Sequence, residues 1–140
     1  MQLNAYLLFH GNCQEAFKYY EKSLGGRIEA MLPHAGTPAE QHVAPEWRDK
    51  IMHARLVVGD AVLMGSDAPI SDFQQPQGFS VALQNNDPTE AERVFNALAE
   101  GGKVKMPLQQ TFWAERFGML VDRFGIPWMV NCVQATERAA

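Results

Sequence analysis

His53 and Arg55 are the residues whose types and spacing are best suited to chemistry, because they are polar side chains two residues apart in an apolar segment. The segment is one of two strand-like runs joined by Gly59-Asp60, a typical signal for a two-residue hairpin turn. A turn of that length fixes the pairing of the strands, and it places Arg55 opposite Met64 and His53 opposite Ser66. The sequence therefore predicts that these four side chains share one face of a sheet.

Both residues have a functional and a structural interpretation. An imidazole can act as an acid or a base near neutral pH or bind the oxygen of a ligand, so His53 is the candidate catalytic residue. Alternatively, it is a partly buried histidine that is bonded to the backbone or to Ser66. Arg55 can bind a carboxylate or a phosphate through two parallel hydrogen bonds, or it can pair with Asp67 or Asp122. The sequence leaves these alternatives open.

A polar, proline-rich stretch at residues 33–50 holds further groups that could bind a metal ion: His34, His42, Glu46 and Asp49. The two histidines are eight residues apart, which is not the close spacing that is typical of ligand pairs. We therefore prefer a long solvated loop to a metal site in this stretch.

Cys13 stands at the start of a predicted helix, where the helix N-terminus can lower the pKa of a thiol. His10 lies three residues away, so a reactive cysteine–histidine pair is one interpretation. A buried packing position is the other, and it is the one we prefer. Cys13 and Cys132 are far apart and form no CxxC motif, so both are expected to be reduced thiols.

The periodicity of apolar residues predicts the elements that must position these side chains. One amphipathic helix begins after Asn12, a possible N-cap, and ends at Gly25-Gly26, and a second runs from Asp87-Pro88 to Gly101-Gly102. The tail, residues 134–140, is expected to be frayed. Eight strands are predicted, at residues 3–9, 27–31, 51–58, 61–65, 78–83, 103–108, 117–121 and 126–133.

The two halves of the chain follow the same order of strand, helix, strand, strand and strand. Both helices carry a Glu-Ala pair with an aromatic residue four positions after the alanine, and both end in Gly-Gly before a basic residue and a strand. Self-similarity of this kind indicates a tandem βαβββ repeat in an α+β fold. We predict a single domain, residues 1–140, with repeat one at about residues 3–66 and repeat two at about residues 78–133.

With these repeats, the chain resembles the vicinal oxygen chelate superfamily, which includes glyoxalase I, bleomycin-resistance proteins and extradiol dioxygenases, and more narrowly its PhnB-like branch. The resemblance implies two units that form a cup-shaped mixed sheet with flanking helices, usually completed in a homodimer. It covers about residues 3–133, and its motifs are Cys13-Gln-Glu-Ala-Phe-Lys-Tyr-Tyr20, Leu24-Gly-Gly, Lys50-Ile-Met-His-Ala54, Met64-Gly-Ser-Asp67, Gln110-Thr-Phe-Trp-Ala114 and Asp122-Arg-Phe-Gly-Ile-Pro-Trp-Met-Val-Asn131.

The chemistry of that superfamily depends on a divalent metal held by His and Glu residues on matching strands of the two units. When the four glyoxalase ligand positions are carried over, they fall on Ala5, Met64, Phe79 and Met129. A methyl group and a phenyl ring cannot hold a metal, and thioethers suit soft ions such as Cu(I). The resemblance therefore implies that the metal site has been lost, and no cofactor is predicted.

The concave surface implied by the resemblance has the composition of a small-molecule pocket, with His53 and Arg55 as its polar groups. Trp113 and its neighbour Phe112 could instead serve in dimer packing, which we prefer, and Trp128 is predicted to lie in the core. The predicted ligand-binding residues are Arg55, Met64, Ser66, Phe79, Trp113 and Met129.

The resemblance implies a metal-independent protein of the glyoxalase/bleomycin-resistance type that binds a small molecule in its apolar cup. The alternative is a lyase, isomerase or dioxygenase of the same superfamily that uses a divalent metal or His53 as acid and base. A methyltransferase label attached to this branch is disfavoured, because the sequence lacks a glycine-rich strand-to-helix turn followed by an acidic residue.

The composition and charge of the chain argue against a nucleic-acid or a membrane partner. The chain has 140 residues, of which 46% are hydrophobic, and its formal net charge is −4 with no block of like charges, so no nucleic-acid partner is expected. No apolar run approaches the ~18–20 residues that cross a bilayer. The N-terminus lacks the features of a signal peptide. We therefore expect a cytoplasmic homodimer with a small-molecule ligand and no membrane partner.

Overall fold

The computed structural model describes residues 1–69, 71 and 73–133, so the predicted fraying of residues 134–140 lies outside the described residues. A long loop between β2 and β3 contains two short 3-10 helices, Pro38–His42 and Pro45–Trp47. The regular elements are β1 (Ala5–Phe9), α1 (Cys13–Leu24), β2 (Arg27–Pro33), β3 (Ile51–Val58), β4 (Ala61–Asp67), β5 (Val81–Asn85), α2 (Pro88–Ala99), β6 (Lys103–Gln109), β7 (Ala114–Val121) and β8 (Pro127–Val133).

The chain divides into two compact units, unit 1 (Met1–Gln74) and unit 2 (Gln75–Ala140). Unit 1 contains sheet 1 in the order β1-β4-β3-β2, and unit 2 contains sheet 2 in the order β5-β8-β7-β6. In each sheet the first pair of strands is parallel and the other pairs are antiparallel. The tandem βαβββ repeat and the α+β class are therefore confirmed. No helix among the described residues is long and apolar enough to cross a membrane.

In unit 1 the helix α1 packs on one face of sheet 1. The apolar stripe predicted for α1 is buried at Ala16, Phe17 and Tyr20, and the Phe17 ring makes an edge-on contact with Phe9 of β1. Burying an aromatic side chain of this kind contributes roughly 1.5–3 kcal/mol. Among the described residues of unit 1, no helix packs on the opposite face of sheet 1.

In unit 2 the helix α2 packs on sheet 2 in the same way. Its predicted stripe is buried, and so is Trp128 of β8, as expected. The Trp128 indole Nε1 donates to the Asp122 carboxylate over 2.8 Å, and the same carboxylate accepts the backbone N–H groups of Phe124 and Ile126. Asp122 thus closes the β7–β8 turn and fixes the core tryptophan.

Asn12 is the N-cap residue of α1, as predicted, but its side chain does not cap the helix. Asn12 makes no cap hydrogen bond, and the backbone N–H of Cys13 donates instead to Asp67 at the end of β4. The Asp67 carboxylate also accepts from the backbone N–H groups of Gly11 and Ile51, so one buried charge holds the starts of α1 and β3. A charged acceptor makes stronger hydrogen bonds than an amide, which explains why it replaces the local cap.

The predicted strand at residues 78–83 is misplaced. The pairing of β5 with β8 begins at Val81, and Gly78 itself has a backbone φ of 81°, in the left-handed region that an extended strand excludes. Phe79, a predicted ligand-binding residue, therefore lies before the strand and is half-exposed. β7 begins at Ala114 rather than at residue 117, because Ala114 already pairs with Val133 of β8.

Candidate ligand site

The face of sheet 1 opposite α1, called here the open face of sheet 1, brings together side chains from all four strands. In β1 and β4, Tyr6 pairs with Met64 and Leu8 with Ser66. In β3, Arg55 pairs with Met64, and His53 pairs with Leu32 of β2. Residues that pair across strands point to the same side, so the open face consists of Tyr6, Leu8, Leu32, His53, Arg55, Met64 and Ser66.

The hairpin geometry predicted from Gly59-Asp60 is confirmed as far as the pairing extends. The β3–β4 pairs run from Val58–Ala61 to Ala54–Gly65 and include Arg55–Met64. The predicted His53–Ser66 pair lies one step beyond the last of these. A two-residue turn therefore aligned Arg55 with an apolar strand neighbour, as its geometry requires.

The side-chain contact of His53 is with Tyr6 rather than with Ser66. The Tyr6 hydroxyl lies 3.2 Å from His53 Nδ1, and the two rings are stacked with centroids 5.8 Å apart. Tyr6 was missed by the sequence reasoning. Its signal was the alternation in β1, where Tyr6 and Leu8 flank the buried Leu7 and therefore must point away from the core.

Neither partner predicted for Arg55 is correct. Arg55 Nε donates to Glu29 of β2 over 2.9 Å, and the Arg27 guanidinium lies 3.7 Å from the same carboxylate. Asp67 and Asp122 are buried, and backbone groups and Trp128 occupy them as described above. The Arg55 side chain keeps a third of its surface exposed, so the ion pair with Glu29 lies at the solvent edge of the open face.

Two of the four carried-over positions, Ala5 and Phe79, are not the strand partners of the other two. Ala5 has the same strand parity as Leu7 and Phe9, which are buried, and therefore faces the core, whereas Tyr6 pairs with Met64 and faces the same side. In sheet 2, the residue that pairs with Met129 is Ala82 rather than Phe79. The residues that accompany Met64 and Met129 on the faces away from the helices are therefore Tyr6 in unit 1 and Ala82 in unit 2.

Sheet 2 has a face of its own opposite α2. Met119 pairs with Met129, and Phe117 pairs with Asn131. Trp113 stands beside this face, with its ring in edge-on contact with Phe117 at 5.5 Å. The described positions that pair across this face hold neither a histidine nor an arginine, and its polar groups are Lys103 and the side-chain amides of Gln84, Gln109 and Asn131.

The polar loop gives no support for a metal site. His34 Nδ1 lies 2.8 Å from the Lys50 carbonyl oxygen, which ties the two ends of the loop together. Among the described residues, no group of three or more His, Cys, Asp or Glu side chains is arranged to hold a metal ion.

The lowered pKa considered for Cys13 is wrong. Cys13 is completely buried, and burial, with a smaller contribution from the Asp67 charge, raises the pKa of its thiol far above the ordinary value. His10 contacts the ring of Phe73 instead. Cys13 is therefore an inert packing residue, as the preferred interpretation had it.

Both thiols should consequently be unreactive toward thiol reagents in the native protein. Cys13 and Cys132 are buried and not in a disulfide. We expect Ellman's reagent to detect no thiol in the native chain and two after unfolding.

Because the pKa of the Cys13 thiol is higher in the folded protein than in the unfolded chain, the free energy of unfolding should fall as pH rises above the ordinary pKa of 9.0. A Cys13→Ala variant should lose that pH dependence, and rapid labelling of native wild type would contradict the assignment.

Comparison with solved structures identifies the class of fold. A PhnB protein from Bacillus cereus has a TM-score of 0.79 and is 21% identical, with 95% of this chain and 100% of that chain covered. FosX from Listeria monocytogenes, a fosfomycin resistance protein solved with Mn(II) and a dihydroxypropylphosphonic acid, has a TM-score of 0.67 and is 8% identical, with 100% and 98% covered. These two structures show that the fold is glyoxalase-like. Together with the family match given next, they confirm the resemblance to the vicinal oxygen chelate superfamily and its PhnB-like branch.

The particular family follows from the sequence. The profile of the 3-demethylubiquinone-9 3-methyltransferase family matches residues 1–131. Protein YjdN of Escherichia coli (strain K12) is 35% identical, and the alignment covers 96% of this chain and 97% of YjdN. Protein PA1353 from Pseudomonas aeruginosa is 53% identical, with a TM-score of 0.88 and coverage of 96% and 98%. The chain belongs to this family.

Proposed function

We propose that this chain binds a small, largely apolar molecule on the open face of sheet 1 and does so without a metal ion. The observation that carries the proposal is the exposure of large apolar side chains on a face that no helix covers. Tyr6, Leu8 and Leu32 are 45%, 47% and 46% exposed, while Leu7 and Phe9, which alternate with the first two along β1, are buried in the core. Apolar surface with a few convergent polar groups is the composition of a small-molecule site.

Independence from metal is supported by the residues at the superfamily's ligand positions. The carried-over positions are Ala5, Met64, Phe79 and Met129, and the strand partners of the two methionines are Tyr6 and Ala82. Thioethers, methyl groups, a phenyl ring and a phenol lack the imidazole and carboxylate donors that divalent metals of this type prefer. Either set of residues therefore supports binding without a metal ion.

The polar half of the site consists of His53 and Arg55. They lie two residues apart on β3 and on the same face, with the Tyr6 hydroxyl beside His53 and the Glu29 carboxylate beside Arg55. A few polar groups of this kind orient a ligand whose affinity comes from its apolar part.

The proposal also includes a homodimer in the cytoplasm. Sedimentation velocity should then give twice the 15.7 kDa mass of one chain.

A fluorescence titration with the uncharged probe phenylnaphthylamine tests the binding proposal. Met64→Glu should weaken binding about 10- to 100-fold, because an apolar probe must desolvate the introduced carboxylate, which costs roughly 1–3 kcal/mol even with Arg55 opposite it on β3. Met106→Glu is the matched control, since Met106 is exposed on β6 of unit 2 and lies outside the open face. Equal binding by both variants, in buffer with chelator, would contradict the proposal.

The contact between Tyr6 and His53 favours a second candidate, acid–base catalysis at His53. In the tautomer in which Nδ1 donates to the Tyr6 hydroxyl, Nε2 carries the lone pair and can accept a proton; in the other tautomer the hydroxyl donates to Nδ1 and Nε2 is the donor. If a reaction occurs there, His53→Ala should abolish it and weaken phenylnaphthylamine binding only slightly. Exchange of the α-protons of phenylacetone into deuterated water would reveal such proton transfer, and an exchange rate unaffected by His53→Ala would exclude this residue.

A further inference from the structure

We infer that the ligand of the open face of sheet 1 is a small aromatic acid, with its anionic group at Arg55 and His53 and its ring over Tyr6 and Met64. This inference rests on the proposed function, which requires an apolar ligand and does not specify its charge. It adds a chemical class that follows from the charges and hydrogen-bond donors around the face.

The charge balance at the edge of the face favours an anion. Two guanidinium groups, those of Arg27 and Arg55, share the single Glu29 carboxylate. These three side chains therefore sum to one positive charge at the open face, and the nearby Glu21 carboxylate, which accepts from the Ile28 N–H, approaches β2 from the α1 side. Glu29 engages Nε of Arg55, and no other bond to this guanidinium is present among the described residues, so its two terminal nitrogens are available to a ligand.

His53 supplies a second donor beside the first. When the Tyr6 hydroxyl donates to Nδ1, the proton of the neutral imidazole is on Nε2, which then donates to a ligand oxygen. Residues two apart on a strand have Cα atoms about 7 Å apart, so one carboxylate or sulfonate can accept from both long side chains. An acceptor with two or three oxygens fits these donors better than a neutral carbonyl does.

The aromatic part of the inference comes from the apolar half of the face. The Tyr6 ring is nearly parallel to the His53 ring, at an angle of 24°, and Met64 stands beside Tyr6 on β4. Ring faces stack on further rings, and thioethers make favourable contacts with ring edges. A flat ligand therefore meets a flat, polarisable surface, with its acid group directed toward β3.

Two probes with the same aromatic body, one anionic and one uncharged, separate the preference for an acid group from the binding of an apolar ligand. Anilinonaphthalene sulfonate carries an anionic group, and phenylnaphthylamine does not. We expect the wild type to bind the sulfonate about tenfold more tightly, and Arg55→Gln to remove that preference while phenylnaphthylamine binding changes less than about twofold. Glu29→Gln should strengthen sulfonate binding, because it frees Arg55. Arg93→Gln, which breaks a surface pair with Glu90 on α2, should change neither affinity.

The outcomes distinguish this inference from the proposed function. Equal affinities for the two probes in wild type, or a sulfonate preference that survives Arg55→Gln, would overturn the acid-binding inference alone, provided that phenylnaphthylamine binding still depends on Met64. A wild type that binds neither probe would overturn both. Thermal unfolding of each variant at the wild-type midpoint shows that the fold is intact.

Discussion

Replacing Asp67 with alanine is expected to lower the free energy of unfolding by about 3–5 kcal/mol. The substitution leaves three backbone N–H groups without an acceptor, those of Gly11, Cys13 and Ile51. Each unsatisfied buried donor costs roughly 1–3 kcal/mol, and part of that cost is recovered where the structure relaxes. Chemical denaturation measures the lost free energy of unfolding directly. Both α1 and β3 depend on the Asp67 carboxylate, because the first residue of each donates its backbone N–H to it.

Two further variants show whether the hydrogen bonds are responsible. Asp67→Asn keeps one acceptor oxygen and should lose about half as much, because its amide nitrogen faces at least one backbone donor. Asp49→Ala removes a carboxylate that is exposed in the loop, and it should change stability by less than about 0.5 kcal/mol. A loss at Asp67 no larger than at Asp49 would contradict this role.

Gly65→Ala is expected to destabilise the fold by about 3 kcal/mol, the upper part of the range for overpacked cores. A Cβ atom at this position would lie 2.8 Å from the Leu7 carbonyl oxygen and 2.8 Å from the Phe17 ring. The ring can move, but the carbonyl belongs to the paired strand β1. Equilibrium unfolding in denaturant gives the difference between the variant and the wild type.

The control for this substitution is Gly36→Ala in the loop. Gly36 has a positive φ of 79°, and no atom lies within 4 Å of the position that an added Cβ would take, so only backbone strain of about 1 kcal/mol is expected. In a double-mutant cycle, Phe17→Leu should relieve part of the cost at Gly65 and leave the part due to Leu7. Equal losses at the two glycines would show that close packing of α1 is not the cause.

Local rules were sufficient where the chain itself fixes the geometry. A two-residue turn leaves one register for the strands it joins, so the Arg55–Met64 pair followed from Gly59-Asp60. The C-terminus of α1 was equally local, because Gly25 adopts the left-handed conformation that ends a helix. The general position of the ligand face was thus available from sequence, at least for β3 and β4.

Contacts between residues that are distant in sequence could not be predicted from the sequence. Asp67 replaced the Asn12 cap from the end of β4, 54 residues after Cys13, and no local pattern encodes that approach. Glu29 reached Arg55 because β2 has an irregular register between Ile28 and Ala30. A bulge of this kind changes the side of the sheet that the residues of β2 face, so simple alternation along β2 does not predict that Glu29 contacts Arg55.

Ala5 and Phe79 are not the strand partners of Met64 and Met129, for two different reasons. Parallel strands such as β1 and β4 are joined by a long crossover, so turn geometry does not fix their register, and a difference of one residue moves a side chain to the opposite face. Such a difference separates Ala5 from Tyr6. In the second repeat, Phe79 lies before β5, whose pairing with β8 begins at Val81.

Methyl NMR of the methionines during titration with phenylnaphthylamine, in the presence of a chelator, tests the central claim most directly. The chain has seven methionines, and Met64 is the one on the open face of sheet 1. A Met64→Leu variant assigns its signal. We predict that the Met64 methyl shifts progressively with probe concentration while that of Met106 on β6 stays in place. A Met64 signal that remains unchanged while the probe binds would contradict a ligand site on this face.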